Sequence, residues 1–147
     1  MKIVSFTEIR NELISNMQRE MLIPIIGSGF TRNCSSLRGK VPSGDDYRRY
    51  MIDRIIEAHP SLVSEKDHLN KESFSNISSM YHRVVPKEVQ ERYLQDNFTS
   101  VSIEDRKKDF LSLPWAYIYT LNIDDGIEKN SDYRCVIYAN RSVNERI

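Results

Sequence analysis

Leu22-Ile23-Pro24-Ile25-Ile26-Gly27-Ser28-Gly29-Phe30-Thr31 and Ala116-Tyr117-Ile118-Tyr119-Thr120-Leu121-Asn122-Ile123-Asp124-Asp125 are the stretches that decide the fold. Each is an apolar, strand-like run that stops in small or polar residues. A strand of a parallel sheet reads this way, and it delivers groups to the carboxyl edge, where open α/β folds bind ligands. The first edge offers bare backbone. The second offers an amide and a carboxylate. Pro24 lacks a ladder donor, so the strand over residues 22–26 is expected to start in effect at Pro24 or Ile25.

Outward from these runs the chain reads as helices. Residues 5–21 carry Phe6, Ile9, Leu13 and Met17 on one face and a Ser5–Glu8 capping box. A loop rich in Gly, Ser and Asn spans residues 27–44. Helices are expected over 45–58, 74–83, 86–98 and 103–113, with 61–71 as loop. Tyr47, Met51, Ile52, Ile55 and Ile56 form the apolar face of the first, and Pro86 suits a first helical position. Ser102 and Asp105 look like a capping pair. After the strand 116–121, a helix starts near Asp124 or Asp125, and 134–138 reads as a last strand before a polar tail. This order predicts an α/β fold: a parallel sheet with helices on both faces and a helical insertion, about residues 45–113, between the first two strands.

The 147 residues suit one domain or a piece of a larger one. Basic and acidic residues balance at 21 each, which gives no electrostatic case for nucleic acid or an acidic membrane. No apolar run is long enough to span a bilayer, and no signal-peptide pattern is present. Cys34 and Cys135 have no metal-ligand spacing, so no zinc site is expected, and two lone cysteines suit a reducing cytoplasm. Phe110, Trp115, Tyr117 and Tyr119 read as an aromatic core cluster, and Met17, Met21, Met51 and Met80 as core filling. The pairs Arg48-Arg49 and Lys107-Lys108 read as solvated faces.

Gly27-Ser28-Gly29 is the first candidate site. Glycine lets backbone approach a ligand and tolerates positive φ, and successive amides can cradle a pyrophosphate. Ser28 and Thr31 add hydroxyls. The same residues also suit a purely structural tight turn. At the second edge, Thr120, Asn122 and Asp124 share one side of a strand. Asn122 and Asp124 can hold ribose hydroxyls or orient a water. The alternative is a helix cap at Asp124 or Asp125, with Asn122 as a turn residue.

Together these edges resemble the sirtuin family, in particular its divergent bacterial branch. The family's Gly-Ala-Gly-x-Ser turn, which contacts NAD, corresponds to Gly27-Ser28-Gly29-Phe30-Thr31. Its Thr-x-Asn-x-Asp motif corresponds to Thr120-Leu121-Asn122-Ile123-Asp124, followed by Asp125 and Glu128 as in divergent members. Val41-Pro42-Ser43 before Tyr47 adds to the likeness, which covers roughly residues 20 to 130. It implies a Rossmann-like NAD-binding fold, with Gly27, Ser28, Gly29, Phe30, Thr31 and Thr120 near the cofactor. Asn122 would sit at the nicotinamide ribose, with Asp124 beside it as the second catalytic residue.

Zinc-containing sirtuins deacylate lysine, but the four cysteines of their zinc module are missing here. The resemblance is therefore to the branch that hydrolyses NAD in defence against phage. The family histidine, expected after the strand 134–138, is absent, and His59, His68 and His82 all precede the second motif. They read as surface or boundary histidines. The chain is accordingly expected to be an N-terminal portion, a truncated product or a degenerate member. It would work as a homo-oligomer or with further domains or a companion subunit. The alternative function is an inactive NAD- or ADP-ribose-binding or assembly module.

Overall fold

The computed structural model describes residues 5–133; the expected strand 134–138 lies outside them. Helix α1 (Phe6–Gln18) leads into strand β1 (Ile25–Ile26). Then follow α2 (Gly44–Ala58), a 3-10 turn (Pro60–Glu65), α3 (Lys66–Leu69), α4 (Phe74–Val84), α5 (Lys87–Phe98) and α6 (Asp105–Leu111). Strand β2 (Tyr119–Thr120) and helix α7 (Gly126–Lys129) close the described chain. The molecule is thus mostly helical around a small sheet.

The two strands pair in parallel, Ile25 with Tyr119 and Ile26 with Thr120. Contact extends further through carbonyls alone. Ala116 N donates to Leu22 O at 3.0 Å, and Tyr119 N to Pro24 O at 2.9 Å. Pro24 therefore serves as an acceptor and withholds only the donor it lacks, which is why regular pairing begins at Ile25. Even-numbered residues 118, 120, 122 and 124 turn inward, while odd-numbered 117, 119, 121 and 123 are exposed. Helices were expected on both faces. Among the described residues, one face lies on the core and the other stays open.

Two apolar clusters form the interior. One gathers Ile26, Cys34, Val41, Phe98, Val101, Ile103, Leu111 and Ile127 around the sheet. The other joins Met51, Ile52 and Ile55 of α2 to Leu69, Ile77, Tyr81 and Val85. Tyr47 packs against both. The expected Ser5–Glu8 box forms at α1, and Ser43 and Asp46 make the same reciprocal pair at α2. Hydrogen bonding to Ser43, reinforced by Arg49, holds the Asp46 carboxyl below its ordinary range.

Several expectations are corrected. Residues 61–71 are not loop, because Leu69 is pulled into the second cluster and the chain coils to deliver it. Arg48 is not simply solvated: its Nη2 donates to Leu69 O at 3.1 Å, to Asn70 O at 2.7 Å and to Glu72 O, closing the end of α3. Ser102 does not cap α6. Its amide instead bonds Ser35 O at 2.9 Å, and α6 starts only after Glu104. Phe110 and Trp115 do pack, with centroids 4.9 Å apart, but Tyr117 and Tyr119 stand in solvent. Met51 fills the core, whereas Met21 and Met80 are exposed.

Candidate functional site

Because β1 and β2 run in parallel, the chain leaves both at the same rim. Leu121 N still reaches Ile26 O at 3.2 Å. Beyond that bond the first strand enters Gly27 and the second enters Asn122. The glycine turn coils helically, with Phe30 N on Gly27 O at 3.0 Å and Arg32 N on Ser28 O at 3.2 Å. That coil carries Thr31 beneath the strand ends, where it is fully buried.

Thr31 joins the two motifs. Its Oγ1 donates to Asp124 Oδ2 at 2.7 Å and accepts from Asn122 Nδ2 at 3.1 Å. An ionised carboxylate can only accept, so the hydroxyl hydrogen is committed to Asp124. Asn122 must then present its NH2 group to Thr31, which settles the orientation of the amide. Its other end, Oδ1, is buried and has no donor among the described residues. Asp124 Oδ1 accepts Gly126 N at 3.0 Å, so both carboxylate oxygens are engaged. Thr120 Oγ1 accepts the Asn122 amide at 3.0 Å, a local turn that holds Asn122 from behind.

The remaining candidates divide. Gly27, Ser28 and Gly29 are exposed, and the Ser28 and Gly29 amides donate to no protein group among the described residues. Neither glycine has positive φ, and a Cβ on either would meet nothing within 4 Å. The segment is a tight turn closed by the Phe30 N–Gly27 O bond, and neither backbone strain nor packing requires glycine in it. Phe30 faces the core, 5.8 Å from Phe110, with Lys107 Nζ 5.9 Å over its ring. Thr31 spends its hydroxyl inside the protein, so it supports the rim rather than touching a ligand on it.

Two neighbours act in ways the sequence did not show. Asp125 caps no helix with its side chain; its carboxylate takes Ser100 N at 2.8 Å and Val101 N at 2.9 Å. This ties the rim to the segment before α6. Gly126 is required sterically. A Cβ there would lie 2.6 Å from the Thr31 methyl and 2.7 Å from Asp124 Oδ1. The only available signal was a glycine directly after two aspartates at a strand end.

The histidines lie elsewhere. His59 ends α2, His68 sits 3.4 Å from Glu72, and His82 Nδ1 bonds Gln90 Oε1. A cleft lined by Lys108, Asp109, Trp115, Lys129, Asn130 and Tyr133 uses none of the motif residues. The exposed Gly27-Ser28-Gly29 backbone and this cleft are therefore separate features of the surface. Among the described residues no helix is long and apolar enough to cross a membrane, and no cluster of His, Cys, Asp or Glu is placed to hold a metal. No protein-family model matches the chain, and no curated protein or solved structure does.

Proposed function

We propose that this rim is the nicotinamide-ribose end of an NAD site. On this reading the chain is a Rossmann-like, sirtuin-like NAD hydrolase domain, a cytoplasmic effector of antiviral defence. The observation that carries the reading is the convergence of the two strand ends, where Asn122, Thr31 and Asp124 bond one another below the exposed Gly27-Ser28-Gly29 backbone. Asn122 Oδ1 is sealed from solvent and has no donor among the described residues, so on this reading the Asn122 side chain shifts to meet a ribose hydroxyl, which supplies the missing partner. The free Ser28 and Gly29 amides suit a pyrophosphate, and open space at both glycines suits its close approach.

In the reaction, water attacks the anomeric carbon as the bond to nicotinamide breaks. The bonding pair returns to the ring nitrogen, neutral nicotinamide leaves, ADP-ribose forms and the water loses a proton to solvent. The sugar passes through a cation-like state, as in glycoside cleavage. Asp124 contributes negative charge near that state and holds Asn122 through Thr31. The absence of any histidine bonded to the rim among the described residues favours a second reading: binding of NAD or ADP-ribose without turnover.

Calorimetry and nicotinamide release on the full 147-residue chain separate these readings. NAD is expected to bind and to release nicotinamide. Asn122→Ala should abolish release, and Gly29→Ala should weaken binding at least about tenfold, or 1.4 kcal/mol, with unchanged circular dichroism. Binding without release selects the second reading. No binding heat, or Asn122→Ala releasing nicotinamide at the parental rate, ends the proposal.

A further inference from the structure

The open face of the sheet is apolar. Ile23 and Ile25 on the first strand, and Tyr117, Tyr119, Leu121 and Ile123 on the second, are each between 55% and 77% exposed. Alternation places all six on one side, opposite Ile26 and Ile118, which pack into the core. Parallel sheets are ordinarily covered on both faces. Helix α1 does not cover this one, and it contributes no residue to either core cluster.

From this we infer that the face docks against a second copy of the same chain. Three observations select that occupant. The six residues expose on the order of 800 Å², about what one partner contributes to a standard interface and above the largest patch of a typical monomer. None of the six is charged, and the chain's net charge is zero, so like copies do not repel. The face is also self-complementary. Its aliphatic side, Ile23 and Ile25, lies beside the aromatic pair Tyr117 and Tyr119. A two-fold axis parallel to the strands and midway between them lays β1 of one copy over β2 of the other, so isoleucine meets tyrosine twice. The site rim is at the strand ends, so this pairing leaves it open.

Sedimentation equilibrium of the full chain from about 1 to 100 μM tests the inference. The expected result is a concentration-dependent dimer. Tyr119→Lys and Ile25→Lys should each weaken dimerisation at least about tenfold, with unchanged circular dichroism because both positions are exposed in the monomer. A monomer at 100 μM overturns the inference. So does a dimer that both lysine variants leave equally tight.

Discussion

Thr31 has no charge and no exposure, yet the rim depends on it. One hydroxyl holds Asp124 as an acceptor and Asn122 as a donor. Thr31→Val keeps the shape and removes both bonds. It leaves a buried carboxylate oxygen and an amide hydrogen unpaired, which costs about 1–3 kcal/mol. Asn122 also loses what orients its amide. Thr31→Ser retains the hydroxyl and should stay within about 1 kcal/mol of the parent, the small deficit reflecting the lost methyl. Urea unfolding of both variants checks this. Equal stability of the two would mean that the hydroxyl network contributes nothing. Gly126 belongs to the same unit, since any side chain there would strike the Thr31 methyl.

At the scale of elements, Arg48 closes the end of a helix that local sequence does not secure. Helix α3 is four residues long. Carbonyls at and beyond its end are answered by the Arg48 guanidinium, from about one turn inside α2. Arg48→Met preserves the aliphatic stem and removes the donors. It should lower stability by about 1–3 kcal/mol and speed hydrogen exchange at residues 66–72 before the rest of the chain. Uniform acceleration across the molecule would instead show that α3 opens only with global unfolding. Elements whose signal is local were legible in the sequence: α1 with its capping box, α2 with its apolar face, α5 with Pro86 at its start, and β1 with Pro24 at its edge. Those that depend on distant partners were not. Residues 61–71 look like loop until Leu69 finds the α2–α4 core. Ser102 resembles a cap until Ser35 arrives beside it. At the site, spacing placed Thr120, Asn122 and Asp124 on one side of a strand, but nothing local showed that Thr31 would come to lie between the last two.

Across the whole molecule, the two apolar clusters are joined by tyrosines. Tyr47 packs against both, its ring 5.2 Å from Tyr93 and 6.5 Å from Tyr81, and Tyr50 stacks on Tyr93 at 3.6 Å. Burial raises the Tyr81 hydroxyl well above its ordinary range and pushes Tyr93 up to about 12, with Tyr50 adding to both. A free tyrosine ionises near pH 10. The folded state therefore holds these protons to higher pH than the unfolded chain. Their contribution to stability is complete below about pH 10 and is lost as pH rises from there through about 12. The urea midpoint should thus be level from neutral pH to about 9 and then fall steeply, as one transition if the tyrosines bind the clusters into a single cooperative unit. Tyr81→Phe tests where that loss originates. The Tyr81 hydroxyl is buried beside Tyr50 and makes no well-formed hydrogen bond among the described residues, so its removal should change neutral-pH stability by less than about 1 kcal/mol and make the alkaline decline shallower. A decline equally steep in Tyr81→Phe would assign it to Tyr93 and Tyr47 alone, since all three lie at the junction of the two clusters.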